Sequence, residues 1–187
     1  MVDIPRIDAA AGESVADVAA MSMTELADHI EQTHHVYLRS ELPRLEEMTE
    51  KVASVHGEKD SRLSLIRETF RVLVSELSSH MMKEEQILFP MVRQLDASET
   101  TPAFHCGSLA NPIQQMQIEH TQADVMLGKL NELTDSYSAP EWACDTYRAM
   151  LEALARFEAD MHQHIHKEND VLFLRALEIE SEKSAIG

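Results

Sequence analysis

Histidine and glutamate residues recur at a fixed spacing in two separate stretches of the sequence. The segments HMMKEEQILF, which begins at His80, and HIHKENDVLF, which begins at His164, align without a gap as H-x-x-K-E-x-x-[IV]-L-F. Each histidine is therefore followed four residues later by a glutamate, Glu84 or Glu168. On a helix, side chains four residues apart lie on one face about 6 Å apart. Each pair can therefore contact the same metal ion.

A further histidine precedes each pair at nearly the same distance along the chain. His35 lies 45 residues before His80, and His120 lies 44 residues before His164. We interpret the chain as two copies of a helical hairpin, each of which supplies one histidine and one His-x-x-x-Glu pair. In an antiparallel bundle, the start of the first and third helices lies beside the end of the second and fourth. His35, Glu84, His120 and Glu168 are therefore predicted in one layer, with His80 and His164 one turn deeper.

The predicted cluster contains four imidazoles and two carboxylates inside an apolar bundle. A buried carboxylate without a partner is costly, and two divalent ions would compensate both. If both glutamates bridge, each ion has four protein ligands and keeps open positions for a small molecule. Imidazole and carboxylate without thiolate favour iron or manganese, although the pattern is also compatible with zinc or mixed occupancy. The predicted metal ligands are His35, His80, Glu84, His120, His164 and Glu168.

Several neighbouring residues have alternative interpretations. Asp124, four residues after His120, is interpreted either as an extra ligand or as a hydrogen-bond partner of a ligand. His166 and Asp170 repeat the spacing of four, but their helical neighbours are polar. Helix geometry turns the other nearby histidines away from the ligand face. Surface positions are therefore expected for His29, His34, His162 and His166.

Other histidine, cysteine and methionine residues could in principle bind a soft metal or react as a thiol, but we predict structural or solvent-exposed positions for them. His105 and Cys106 adjoin in a long connection, where solvent exposure is expected. Met81 and Met82 are expected to pack in the core rather than bind a soft metal. Helical spacing also predicts apolar stripes around the two repeats: Leu154, Phe157, Met161, Val171 and Leu172 around His164, and Leu73, Leu77, Ile87 and Leu88 around His80.

Two helices are predicted for the first hairpin. The first begins at the capping-box pair Ser22 and Glu25 and continues to about His56. Pro43 is expected to kink or break it, because proline removes a backbone hydrogen bond. The second helix spans about residues 61–95, with Pro90 as an expected kink near its end.

Two more helices are predicted for the second hairpin, after a long connection over residues 96–110. Asn111 as N-cap and a first-turn proline indicate a third helix that ends near Leu133. Ser138 and Glu141 repeat the capping-box pattern and predict the start of a fourth helix, which ends near Ile179.

The composition is typical of one helical domain. The chain has 187 residues, 44% of them apolar, with only five glycines and six prolines. This favours an all-α fold with one core. We predict a loose N-terminal arm over residues 1–21, an up-down-up-down four-helix bundle over 22–180, and a C-terminal tail over 181–187.

Charge and cysteine content exclude several function classes. The net charge of -17 argues against binding to nucleic acid or anionic membranes, which require clustered lysine and arginine. The two cysteines form no CxxC pattern and suit a reducing compartment. No apolar run approaches the length of a membrane span, and the first residues do not resemble a signal peptide. A cytoplasmic protein is expected.

The repeat and its surroundings resemble a known family. The segments ELSSHMMKEEQILFP, DHIEQTHHVYLRSELPRL, IEH and HIHKENDVLF are similar to the hemerythrin-like domain of the di-iron iron-sulfur cluster repair proteins, the RIC family. The resemblance covers about residues 22–178, and His56 also falls at a matching position. It implies two iron ions with an oxo bridge. It also implies that the four predicted histidines are terminal ligands and the two predicted glutamates are bridges.

The resemblance further implies a role in stress response. Members of this family recover damaged iron-sulfur proteins by iron donation, by reaction with nitric oxide, or both. One feature departs from the family pattern, because members carry an N-terminal domain with paired cysteines and residues 1–21 contain none. The chain is therefore expected either to work with a separate partner or to bind oxygen or nitric oxide as a sensor or carrier. A ferritin-like oxidase is less favoured, since that pattern uses Glu-x-x-His and more carboxylates.

Overall fold

Four long helical rods make up the part of the chain that the computed structural model describes, which is Val18 and residues 20–185. The first rod consists of α1 (Met23–Ile30), a π-helical segment (Glu31–His35) and α2 (Val36–His56). The second consists of α3 (Arg62–Lys83), a π-helical segment (Glu84–Leu88) and α4 (Phe89–Ala97). The third is α5 (Ala110–Leu133). The fourth consists of α6 (Asp145–His166), a π-helical segment (Lys167–Leu172) and α7 (Phe173–Ser184).

The rods pack as a closed bundle in chain order. The first rod contacts the second and the fourth, and the third rod contacts the same two. Connections run through residues 57–61, 98–109 and 134–144. The predicted all-α, up-down-up-down four-helix bundle is therefore confirmed. None of the described helices combines the length and the apolar character that a membrane span requires.

The first rod begins as predicted and passes through its proline. The Ser22 hydroxyl accepts a hydrogen bond from the Glu25 backbone at 3.1 Å, and the Glu25 carboxylate accepts one from the Ser22 backbone at 2.7 Å. Helix α2 continues through Pro43 without a break. The carbonyl that loses its intrahelical partner belongs to Arg39, which is exposed like Pro43, so water can satisfy it.

The prediction for the start of the third rod was wrong in detail. Asn111 is not the N-cap, because α5 already begins at Ala110. The Glu180 carboxylate of the fourth rod accepts hydrogen bonds from the Leu109 backbone at 2.9 Å and from the Ser108 hydroxyl at 2.8 Å. A partner distant in sequence therefore binds a backbone donor at this helix start, which local sequence patterns do not reveal.

The predicted start of the fourth rod was also wrong. Ser138 and Glu141 lie in the connection, and α6 begins only at Asp145 with Cys144 as N-cap. The intervening Pro140 disfavours helical geometry at the residue before it, so the capping box cannot form. The turn before it is tight, because three successive non-glycine residues have positive φ: Asp135, Ser136 and Tyr137.

The predicted chain ends are only partly covered by the structure. Most of the arm predicted over residues 1–21 lies outside the described residues, and its looseness stays a prediction. At its described end the Val18 side chain is buried. Helix α7 continues to Ser184, so the first residues of the predicted tail belong to the fourth rod.

Two apolar clusters fill the bundle, one on each side of the repeat histidines and glutamates. In the first rod, Ile30 belongs to one cluster and Leu38 to the other, with His35 between them. In the fourth rod, Ile165 and Leu172 belong to different clusters, with Glu168 between them. The second and third rods also pass from one cluster to the other, with Glu84 and His120 at the boundary. The polar residues therefore form one layer across an apolar core.

Candidate metal centre

Six polar side chains from all four rods meet in the layer between the apolar clusters. They form two overlapping groups, and within each group the potential ligand atoms lie within 4.8 Å of one another. Both groups contain Glu84 and Glu168. One adds His35 and His164, and the other adds His80 and His120. The structure thus brings together every predicted site residue, with an exposed fraction of at most 2% for each.

Each glutamate lies between two imidazoles, one from each group. The Glu84 carboxylate oxygens lie 3.3 Å from His35 Nε2 and 3.2 Å from His80 Nε2. The Glu168 oxygens lie 2.9 Å from His164 Nε2 and 3.0 Å from His120 Nε2. A carboxylate so placed can bind two neighbouring ions at once, one through each oxygen.

Three of the four rods change to π-helical geometry where they enter this layer. The π-helical segments end at His35, begin at Glu84, and include Glu168. Insertion of a wider turn re-aims the side chains that follow it, and π segments occur frequently at functional sites. Sequence periodicity did not predict them, because it assumes 3.6 residues per turn throughout.

Hydrogen bonds to Nδ1 orient three of the imidazoles. His35 Nδ1 lies 2.7 Å from Glu85 Oε1, and His80 Nδ1 lies 2.9 Å from Glu119 Oε2. His120 Nδ1 lies 3.0 Å from the side-chain oxygen of Asn169. An amide oxygen can only accept a hydrogen bond. Each imidazole therefore donates from Nδ1, and its Nε2 faces the cluster centre as the nitrogen that can bind a metal ion once it has lost its proton. This is the usual arrangement of histidine ligands.

The three acceptors were not identified from the sequence, although a signal was present. Glu85 and Asn169 directly follow Glu84 and Glu168 in the two repeats, and Glu119 directly precedes His120. Two of the acceptors also have cationic partners, since Arg39 pairs with Glu85 and Lys83 with Glu119.

His164 differs from the other three imidazoles because its Nδ1 has no acceptor among the described residues. The prediction for its neighbour His34 was wrong. His34 was expected at the surface, but it is buried. Its ring lies parallel to the His164 ring with centroids 5.2 Å apart, and its Nδ1 lies 3.0 Å from Asp160 Oδ1. This polar contact satisfies Nδ1, whereas Nε2 of His34 is buried between the first and fourth rods and has no hydrogen-bond partner among the described residues. In the described part of the chain, His164 Nδ1 has no hydrogen-bond partner.

The residues fit a pair of divalent cations. Both oxygens of Glu84, Oε2 of Glu168 and Nε2 of His35 are buried and have no hydrogen-bond partner among the described residues. A buried polar atom is costly unless another group compensates it, and these atoms all point into one layer. Metal ions bound by neutral imidazoles and carboxylates would satisfy them together.

The pKa values of the imidazoles reflect the same contacts. Burial lowers the pKa of His80, but the carboxylates of Glu84 and Glu168 outweigh burial and raise it to about 9. The same balance raises the pKa of His35 beside Glu84 and of His120 beside Glu168. Burial lowers the pKa of His164, and the nearby Glu168 carboxylate does not offset it.

Raising the pH is expected to destabilise the metal-free protein. The pKa of His80 is about 9 in the folded protein and 6.5 ordinarily. Its protonation therefore contributes stability that is complete below the ordinary pKa and lost as the pH rises through the folded value. The loss from His80 is on the order of 3 kcal/mol. Urea unfolding of metal-free protein across this pH range measures it.

A matched control separates this effect from general alkaline unfolding. His80→Gln removes the titrating group, and the pH dependence of its free energy of unfolding should be weaker than that of the original chain. Metal-loaded protein should not lose stability over the same range, since bound imidazoles are already neutral. Equal pH dependence of the original and substituted metal-free chains would contradict the prediction.

The alternative candidates lie outside the cluster. Asp124 is exposed and belongs to neither group, which does not support a ligand role. His162 and His166 are exposed as predicted, and His166 Nδ1 lies 2.6 Å from Asp170. Half-buried His29 lies 2.8 Å from the Lys167 ammonium through its Nε2.

The soft-metal and thiol candidates are likewise separate from the centre. Met81 packs in the core, whereas Met82 is 50% exposed, which corrects the prediction that both pack. His105 is exposed, and Cys106 is half-buried beside Met91. His56 lies at the end of the first rod, with Nε2 3.2 Å from Cys144 Sγ.

The comparison with family models identifies the class of protein that this fold and cluster define. Residues 26–176 match the hemerythrin HHE cation binding domain. The match contains all six residues of the layer and both apolar clusters except Val18 and Met23. The protein is thus a hemerythrin-type helical bundle with a cation-binding domain.

Full-length relatives narrow the class to one family. The iron-sulfur cluster repair protein YtfE of Yersinia pestis (strain Pestoides F) is 37% identical over 164 residues, which are 88% of this chain and 70% of the relative. The protein of the same name from Salmonella schwarzengrund (strain CVM19633) is 37% identical over 161 residues, covering 86% and 69%. The chain belongs to the iron-sulfur cluster repair family with a hemerythrin-type domain, as the resemblance predicted.

Proposed function

We propose that the six clustered residues hold two iron ions joined by an oxo bridge. His35 and His164 would be the terminal ligands of one ion, and His80 and His120 those of the other. Glu84 and Glu168 would bridge both. The observation that supports this assignment is the position of each carboxylate between imidazoles of the two groups, at 2.9–3.3 Å.

We infer that the protein repairs iron-sulfur clusters after nitrosative or oxidative damage. When bound, the two irons would supply redox chemistry toward nitric oxide and a source of iron for damaged iron-sulfur proteins. The chain's own residues hold the imidazoles in one tautomer and keep the carboxylates away from bulk water. The relatives' name supports this function, and the metal-ligand chemistry of the cluster is compatible with it.

We propose the cytoplasm as the place of action. Both cysteines of the chain, Cys106 and Cys144, are free. Free thiols suit a reducing compartment, where damaged iron-sulfur enzymes would be the partners.

Repair is tested with a purified dehydratase whose iron-sulfur cluster has been damaged by nitric oxide. Iron-loaded protein should restore its activity faster than the same concentration of free ferrous iron. Glu168→Ala should fail to do so, because it removes a proposed bridge. His162→Ala should retain repair, because His162 is exposed and outside the cluster. Absence of both repair and any spectral reaction with nitric oxide would overturn the proposal.

Reversible binding of oxygen or nitric oxide is a second candidate. The observation that favours it is the composition of the two groups, because four protein ligands for each ion would leave open positions where a small molecule could bind. Repeated oxygen uptake and release by the diferrous protein would support carriage, and immediate irreversible oxidation would contradict it.

A further inference from the structure

The two halves of the metal centre are unequal, although the sequence repeat relates them. Glu85 and Asn169 occupy equivalent positions in the two repeats, and each contacts the imidazole of the preceding rod. Glu119 and His34 also occupy equivalent positions, directly before His120 and His35. Glu119 contacts His80 Nδ1, but His34 makes no hydrogen bond to His164 Nδ1.

The side chain that replaces this acceptor is itself held in place. The His34 and His164 rings are parallel within 1°, so the His34 ring faces His164 rather than pointing a nitrogen at its edge. Asp160 fixes that orientation through the 3.0 Å contact with His34 Nδ1. Asp160 lies one helical turn before His164, and its own Oδ2 is buried and has no hydrogen-bond partner among the described residues. Even so, no acceptor among the described residues, Asp160 Oδ2 included, forms a hydrogen bond with His164 Nδ1.

An acceptor on the outer nitrogen matters for metal binding. It fixes the ring orientation and raises the basicity of the ligating nitrogen, and its loss typically costs about 10–100-fold in metal affinity. In the half formed by His80 and His120, both imidazoles have such an acceptor. In the half formed by His35 and His164, only His35 has one.

We infer that His34 makes the half-site of His35 and His164 the weaker of the two, and so acts as a positioning residue for His164. The inference rests on the proposed di-iron function and deepens it, because an ion that is held less tightly is the one that is donated more readily. The half-site of His80 and His120 would keep its ion while the other half-site supplies iron.

The test measures iron release from the loaded full-length protein to an excess of a ferrous chelator, without oxygen. The original chain should release two ions in two phases of equal amplitude, with rates that differ by about 10-fold or more. His34→Gln offers His164 an amide oxygen, as Asn169 does for His120. In this variant, the rate constant of the fast phase of iron release should fall toward that of the slow phase.

His34→Phe is the matched control, because it keeps an aromatic ring against His164 and offers no acceptor. It should retain two phases with rates close to those of the original chain. Circular dichroism of both variants checks folding, and the phases of the original chain test the inequality without any substitution. Release of both ions in a single phase, or equal rates in the glutamine and phenylalanine variants, would overturn the inference.

The outcomes also distinguish this inference from the proposed function. If the loaded protein holds fewer than two irons per chain, the proposed di-iron function fails and the inference falls with it. If it holds two irons that leave together, the di-iron assignment stands and the inequality alone is wrong.

Discussion

Replacing Glu84 with alanine is expected to lower the iron content of the protein by about half or more, because a bridging carboxylate serves both ions. Glu84 is fully buried and lies within 3.3 Å of both His35 and His80. Neither of its oxygens has a hydrogen-bond partner within the described chain. Its removal therefore takes a proposed ligand from each half of the centre, and it also removes the carboxylate that pairs with His35 and His80 in the metal-free protein.

Metal analysis of purified protein, together with its absorption spectrum, measures the effect. Glu168→Ala should show a similar loss, since Glu168 has the equivalent position between His164 and His120. His162→Ala is the control from the same rod, and its iron content should equal that of the original chain because His162 is exposed.

The three variants together test the assignment of the bridges. A loss of iron confined to Glu84→Ala would show that Glu168 serves no ion, and the assignment of two bridging carboxylates would be wrong. Equal iron content in all three variants would mean that neither carboxylate binds metal. Circular dichroism separates both results from unfolding.

The internal repeat made the centre predictable from the sequence. Because the His-x-x-x-Glu pairs recur with their upstream histidines at nearly equal distances, antiparallel packing alone brings four of the residues to one layer and places His80 and His164 one turn deeper. The structure places His35, Glu84, His120 and Glu168 between the same two apolar clusters, in agreement with that expectation. The argument needed only the helical period and the order of the rods.

The parts that depend on departures from helical periodicity were not predictable in this way. Ile87 was expected in the core beside His80, but it is 44% exposed, while Leu88 is buried. Both residues lie in the π-helical segment Glu84–Leu88, whose wider turn shifts the faces of the rod. No local residue pattern marks this segment in the sequence.

Contacts between distant segments were missed for a different reason. His34 was assigned to the surface because its direction on the first rod differs from that of His35. Its burial depends on Asp160 and His164 of the fourth rod, which lie more than a hundred residues away in sequence. The acceptor Glu180 at the start of the third rod is a similar case. Helical patterns define faces but do not define which distant side chain covers each face.

The closing phenylalanine of each repeat gives a structural reason for the motif to extend beyond its histidine and glutamate. Phe89 stacks on His35 with centroids 5.8 Å apart, and Phe173 stacks on His120 with centroids 6.0 Å apart. Both phenylalanines are fully buried. Each ring thus supports, from the apolar side of the layer, the imidazole of the preceding rod in its own hairpin.

Replacing Phe173 with alanine is expected to reduce both stability and iron binding. Loss of a buried phenylalanine costs about 3–5 kcal/mol, which corresponds to a fall in melting temperature of about 6–20 °C for a chain of this length. His120 would also lose the ring that limits its movement, so less iron should be retained against a chelator. Thermal unfolding of the metal-free variant and iron content after dialysis measure the two effects separately.

Phe70→Ala provides the matched control for this substitution. Phe70 is fully buried in the other apolar cluster and packs against Phe157 at 5.5 Å, away from the four imidazoles. The melting temperature should fall by a similar amount, because the same volume is lost from the core, but iron retention in the folded variant should be largely preserved. Equal loss of iron in both variants would mean that iron binding follows global stability, and that the Phe173 ring has no specific role in holding His120.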